Sequence, residues 1–278
     1  MNINSEHIST FNTDGILKFD SGISLELIDR GIKEVEDIWA SNKVWKKLTY
    51  IDSNRVQDAW ILSPSIREIA LSHSILNIVE KLYGKKPKPF QTLNFKKGTE
   101  QEIHSDTIHF NSKPFGSMCG VWLALEDVGI NQGPLEYYKG SHNLKECNME
   151  DLNLNPNHKN YRYYTEHIKK LIQENEYSKS FGLLKKGEAI IWKANLLHGG
   201  SFQIDKKLTR KSMVTHFYFE GDYYWNPLTS KKKNAKKVNP KWIKPENSYA
   251  YYIANRNIIG NYKKMLKNKI KKVMKNHL

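Results

Sequence analysis

The sequence predicts a mainly β protein with flanking helices, its core a jelly-roll or other double-sheet barrel. Three observations carry that expectation. Two amphipathic helical patterns precede residue 86, short apolar or alternating runs recur between about residues 90 and 220, and no repeat occurs at a solenoid or propeller period.

The elements follow in order. Ser24 is placed to cap a helix whose Leu27, Ile28, Ile32, Val35, Ile38 and Trp39 keep the three-and-four spacing of one buried face. A second helix opens after Pro64 with the capping box Ser65-x-x-Glu68. It carries Ile66, Ile69, Ala70, Leu76, Val79 and Leu82, and stops at Gly84. Beyond "KKPKP" the runs "FQTLNF", "MCGVWLALEDV", "PLEYYKG", "FGLLKKGEAIIW" and "KSMVTHFYFEG" read as strands, with "KKGE" a tight turn before "AIIW". Between two of these strands lies a polar insertion, residues 152–178, long enough for one helix. Residues 1–229 are therefore expected to form one domain, a helical part over 1–86 and a β core over about 87–225. Residues 230–278 form a basic extension, expected to be helical because Ile258, Tyr262, Leu266, Ile270 and Val273 fall on one stripe.

Composition narrows the function classes. An apolar fraction of 39% with seven Trp and fifteen Tyr in 278 residues describes a folded chain. No run approaches the roughly 18 apolar residues of a membrane span, and the first residues lack a signal-peptide layout, so a cytoplasmic protein is expected. Two cysteines, Cys119 and Cys147, suit a reducing compartment and leave room for one disulfide. The net charge of +15 invites a nucleic-acid reading, but the segment 230–278 carries 15 Lys and Arg against the single Glu246. The rest of the chain is nearly neutral, and no nucleic-acid-reading motif accompanies the tail.

Chemistry concentrates in "EIHSDTIHF", which puts His104, Asp106 and His109 within six positions. In an extended chain His104 and Asp106, two apart, project to the same side. A third donor of matching type stands in "NLLHGGS", where His198 precedes two glycines that let backbone pass close to a bound group. Two His and one carboxylate leave half of an octahedral ion open, the facial triad of non-haem Fe(II) oxygenases. With His109 replacing one donor, the cluster suits a zinc hydrolase instead. A closed structural zinc site is disfavoured, since neither cysteine has metal-ligand spacing.

The ordered blocks His-x-Asp, "GVWLALEDV", "GPLEYYKGSH", "LLHGGS" and "TRKSMVTHFYF" resemble the phytanoyl-CoA dioxygenase family of Fe(II)/2-oxoglutarate oxygenases, over residues 90–220. The resemblance implies a double-stranded β-helix, cupin-like core. It implies His104, Asp106 and His198 as iron ligands, with 2-oxoglutarate and O2 filling the open positions and succinate and CO2 leaving. It makes Arg210 the residue that grips the distal carboxylate of 2-oxoglutarate, a task that a planar guanidinium fork performs and an ammonium does not. It places Asn94 and Trp122 on the wall around the cosubstrate, gives Ser212 a hydroxyl for the same carboxylate, and sets Thr107 at the entrance. Halogenating relatives lack the carboxylate ligand, so Asp106 favours hydroxylation of a small-molecule or carrier-linked substrate.

Plainer roles stand beside these. His109 reads as a wall residue, His142 and His216 as packing or capping residues, and Tyr137 and Tyr138 as barrel core with Trp122. The tail reads as a solvated helix on the body, an anionic-lipid helix or a phosphate-binding arm. A non-catalytic barrel docked on anionic surfaces through that tail is the alternative from another class.

Overall fold

A computed structural model describes residues 3–40, 49–235 and 237–246. The expected stripe from Ile258 to Val273 lies outside them, as does the helical form of the extension. Residues 1–243 form one compact unit.

Among its described residues the N-terminal part holds four α-helices. α1, Ser5–Asp14, is closed by a reciprocal cap between Asn4 and His7 and ends on Gly15 in the left-handed conformation. α2, Leu25–Ala40, buries the expected face with Leu27, Ile28, Val35 and Ile38. The expected second helix is two: α3, Pro64–Ala70, and α4, His73–Tyr83. Its cap is Ser63, whose Oγ accepts from Ile66 N–H at 3.0 Å, while the hydroxyls of Ser63 and Ser65 both donate to Glu34 of α2, at 2.5 and 2.7 Å. The break falls at Leu71–Ser72, where Ser72 Oγ meets Ser74 Oγ and Ser74 donates to the Ser21 carbonyl at 2.6 Å. Such side-chain bonds compete with helix continuation.

The β core is two facing sheets. Its strands are β1 (Ile16–Asp20), β2 (Arg55–Gln57), β3 (Pro87–Phe95), β4 (Asn111–Lys113), β5 (Met118–Ala124) and β6 (Leu135–Tyr138). They continue as β7 (Lys179–Gly182), β8 (Glu188–Lys193), β9 (His198–Gly200), β10 (Ser212–Phe219) and β11 (Tyr223–Trp225). The larger sheet runs β1-β8-β5-β10-β3-β2 and the smaller β7-β6-β9, with β4 and β11 paired separately. Every pairing is antiparallel. This is the expected double-stranded β-helix. Between the sheets Trp122, Ile190, Trp192 and Val214 of the larger meet Leu135 of the smaller, together with Leu184, in one buried cluster.

Two further features position the site. The polar insertion contains α5, Tyr161–Glu174, whose Tyr164 and Ile168 pack against Ile103, Ile108 and Leu197. Tyr164 Oη accepts from Ser105 N–H at 3.2 Å, so this helix buttresses the segment between His104 and Asp106. Beyond Thr229 the basic extension stays packed on the body up to Ile243. Val238 N–H donates to Tyr224 O and Ile243 N–H to Pro89 O, both at 2.9 Å, and Trp242 sits edge-on to Tyr224. Apolar Trp242 and Ile243 anchor this stretch in spite of the lysines around them. Among the described residues no helix is long and apolar enough to cross a membrane.

Candidate metal centre

His198 opens β9, and His104 lies beside it as an added rung of the smaller sheet. Each donates its backbone N–H to the other's carbonyl, at 2.9 and 3.0 Å. The glycines after His198 make this possible. A Cβ on Gly199 would lie 2.6 Å from Gln101 O, and one on Gly200 would lie 2.6 Å from Thr99 Oγ1. What these glycines admit so closely is the chain segment leading to His104, where a bound group was expected. Asp106 follows on a single 3-10 turn, Asp106–Ile108, that Ser105 caps through Thr107 N–H.

The three donors converge. Nitrogen and oxygen donor atoms of His104, Asp106 and His198 all lie within 4.8 Å of one another, and all three residues are buried. Asp106 Oδ1 is 3.6 Å from His104 Nε2 and 3.8 Å from His198 Nε2. Each side chain is held by its other end. His104 Nδ1 faces Glu102 O at 2.9 Å and His198 Nδ1 faces Leu196 O at 3.0 Å. A carbonyl only accepts, so both Nδ1 atoms carry hydrogen and both Nε2 lone pairs face the Asp106 carboxylate, that of His104 also meeting the Gln101 amide nitrogen at 3.2 Å. Trp192 Nε1 donates to Asp106 Oδ2 at 2.8 Å, leaving Oδ1 for the ion. The indole reaches Asp106 because Gly120 stands across from it on β5, where a Cβ would come within 2.3 Å of the Trp192 ring.

The charge states suit a divalent ion. Burial opposes the charge on Asp106, but the imidazoles of His198, His104 and His216 outweigh it and hold the carboxyl well below the usual range. Burial pushes His198 down to about 4 in spite of Asp106 beside it, leaving a neutral imidazole at neutral pH. A carboxylate and two imidazoles whose Nε2 atoms face it fit Fe(II), as they fit other divalent first-row ions. Trp192→Phe keeps an aromatic ring at the position, though a smaller one, and deletes the bond to Oδ2. Metal affinity is expected to fall about 10–100-fold with the circular dichroism spectrum unchanged, as metal titration will show.

The donors open onto a cavity of about 390 Å³ whose far wall includes Phe95, Trp122, Arg210 and Val214. Arg210 is 4% exposed, yet among the described residues no carboxylate pairs with it. Its guanidinium lies 5.5 Å from the Phe95 ring and 5.4 Å from the Trp122 ring, with one long bond to Lys97 O at 3.3 Å. Arg210 Nε and Trp122 Nε1 are buried donors without a hydrogen-bond partner. Glu126 is the acid felt there, but its oxygens are taken by Thr209 Oγ1 and Lys211 N–H at 2.9 and 2.7 Å. Burial lowers the guanidinium to about 10, so it remains a cation. An unpaired buried cation is costly, and an anionic ligand entering this cavity removes the cost.

Other expected residues fall elsewhere. Asn94 is not on the cavity wall: Gln91, Leu93 and Phe95 of β3 line it, while Asn94 alternates to the far face, opposite Val56 and Met213. Ser212 shares the inner face, but its hydroxyl donates to Arg210 O at 3.4 Å. Thr107 is turned from the cavity, its hydroxyl 2.6 Å from Ser105 Oγ. His109 lines the wall, pushed down to about 3 by burial and by His104, and is not among the converging donors. His142 packs on Gly15 and bonds Asn12 O at 3.0 Å. His216 is more than packing: it lines the cavity with Nε2 3.9 Å from Asp106 Oδ2 and Nδ1 2.9 Å from Gln91 Oε1. Trp192 and His216 were not read as site residues, since no local spacing ties them to Asp106. Beyond Gln91, His109, Phe110 and Asn226 lies a second cavity of about 180 Å³, lined also by Phe90, Tyr218, Val238, Pro240 and Lys241.

A family profile described as Phytanoyl-CoA dioxygenase (PhyH) matches residues 11–204, more than half of the chain. The chain belongs to the phytanoyl-CoA dioxygenase family. This family member is 33% identical over 84 residues to Phytanoyl-CoA dioxygenase domain-containing protein 1 of Danio rerio, covering 29% of each chain. The protein of the same name in Bos taurus is 31% identical over 85 residues, again 29% of each. The alignment thus spans under a third of these relatives' length. Among solved structures, the non-heme alpha ketoglutarate dependent carbocyclase SnoK from nogalamycin biosynthesis aligns with TM-score 0.65 at 14% identity, over 86% of this chain and 93% of its own. EctD from S. alaskensis with 2-oxoglutarate and 5-hydroxyectoine aligns with TM-score 0.64 at 16% identity, over 83% and 81%. At such identities these likenesses establish that the family member shares their fold.

Proposed function

We propose that the chain is an Fe(II)- and 2-oxoglutarate-dependent dioxygenase that hydroxylates a small-molecule or carrier-linked substrate. One observation carries the reading: an open His-Asp-His donor set and a buried, unpaired guanidinium share one cavity. The solved relatives support it, since EctD was crystallised with 2-oxoglutarate and the epimerase SnoN with Fe3+ and alpha ketoglutarate.

When bound, Fe(II) with 2-oxoglutarate and O2 supplies the power to oxidise an unactivated C–H bond, with succinate and CO2 as co-products. The chain supplies position. His104, Asp106 and His198 would hold the ion, each locked by its second hydrogen bond. Arg210 takes the distal carboxylate of 2-oxoglutarate by charge-assisted bonds, and Trp122 offers its free indole N–H to the same ligand. Trp192, Leu135, Phe95 and Val214 exclude water around them. The proposed compartment is the cytoplasm, where the free thiols Cys119 and Cys147 persist.

Loaded with Fe(II), the protein is expected to convert 2-oxoglutarate to succinate only when O2 is present, and to be inactive with Zn(II) in its place. Anaerobic and aerobic succinate assays decide. Turnover of a candidate substrate without O2 would replace this reading with a hydrolase.

A further inference from the structure

One cation in the cavity has no task in the chemistry above. Among the described residues, the charged side chains lining the cavity besides the histidines are Asp106, Arg210 and Arg55. Once the ion and its cosubstrate are in place, the two charges of Fe(II) offset the two carboxylates of 2-oxoglutarate, and Arg210 offsets Asp106. Arg55 is left over. It stands on β2, the edge strand of the larger sheet, in register with Phe95 and separated by β3 from the strand that follows Arg210. Its side chain is 36% exposed, so it sits where the cavity meets solvent.

The surroundings of Arg55 prepare it for an anion. The Tyr50 ring lies 5.0 Å from the guanidinium carbon and braces the plane. Asp52 is the nearby acid, and its Oδ1 accepts Asn54 N–H and Arg55 N–H at 2.8 and 2.7 Å. Its Oδ2 stands 3.8 Å from Arg55 Nε, beyond hydrogen-bond reach, and both side chains are over a third exposed. An ion pair of that kind contributes little. Arg55 Nε is buried and has no hydrogen-bond partner. Gln57, two residues along the same strand, shares its face and also lines the cavity. A donor fork and a neighbouring amide at a cavity mouth match the oxygens of a carboxylate or a phosphate.

We propose that Arg55, with Gln57 beside it, binds an anionic group of the substrate, a carboxylate or a phosphate, and so selects acidic small molecules for oxidation. The inference rests on the dioxygenase reading, because the charge left over counts 2-oxoglutarate as already bound at Arg210.

The test uses the full chain loaded with Fe(II) under anaerobic conditions and saturated with 2-oxoglutarate, titrated calorimetrically with butyrate, methyl phosphate and the neutral butyramide. At least one anion is expected to bind, with butyramide at least about tenfold weaker, and the preferred anion tells carboxylate from phosphate. Arg55→Gln is expected to weaken that anion about tenfold or more, the loss of a charge-assisted pair, with 2-oxoglutarate affinity retained as evidence of an intact fold. Arg55→Lys is expected to restore part of the loss. Anions that bind no better than butyramide, or an Arg55→Gln protein that binds them as the wild type does, overturn the proposal while 2-oxoglutarate uptake stands. A wild type that takes up no 2-oxoglutarate sinks the dioxygenase reading itself and this inference with it.

Discussion

Arg210→Ala is expected to weaken 2-oxoglutarate binding by roughly 10²–10⁴-fold, while the metal stays and the unliganded protein becomes no less stable. The magnitude follows from truncating one partner of a buried charge pair, about 3–5 kcal/mol, at about 1.4 kcal/mol per tenfold. The sign on stability follows from the unliganded structure. Arg210 is 4% exposed, its Nε has no partner and its single long bond is to Lys97 O. Removing it relieves a desolvated charge and leaves a hole between Phe95 and Trp122, two opposed effects of comparable size. Titration with 2-oxoglutarate, metal analysis and thermal melting separate these effects. Unchanged 2-oxoglutarate affinity would move the anchor away from Arg210. A collapse in stability would mean that the guanidinium holds the barrel together.

Asp106→Ala is expected to abolish stable iron binding with the fold retained. The loss should exceed the roughly 100-fold that marks removal of an outer partner of a metal ligand, because the change deletes the donor itself. The fold should survive because Asp106 belongs to a cavity wall. The substitution orphans the Trp192 N–H, which costs about 1–3 kcal/mol if it stays dry, and removes a carboxylate whose burial is itself unfavourable. A net change near 1 kcal/mol moves the melting temperature by about 2–4 °C in a chain of this size. Iron content measured beside circular dichroism checks both halves. Full iron occupancy in the variant would defeat the ligand assignment.

Much of this was legible in the residues, and the misses have physical causes. α2 and the long strands announce themselves by periodicity, His104, Asp106 and His198 by residue type and spacing, and Arg210 only through the family likeness. The helix break at Leu71 was hidden, because the serines that cause it find partners on Ser21 and on one another. β1, β2, β4 and β11 are short, and are strands through the partners they pair with. Asn94 was misplaced because a family likeness names a position without saying which face of β3 it occupies. Trp192 lies 86 residues from Asp106, so their bond exists only through the barrel's closure. His216 sits in the cavity because the inner face of β10 continues past Val214, which alternation permits without indicating the direction of the interior.

The stretch 237–243 changes how the chain can be shortened. Since Val238, Pro240 and Lys241 line the second cavity, a protein ending near residue 230 would lose masonry as well as charge. Its aromatic chamber of Phe90, Phe110 and Tyr218 would lie bare to solvent, and any altered preference for bulky compounds would report a missing partition. Trimming after Ile243 removes most of the lysine-rich tail and leaves that wall in place.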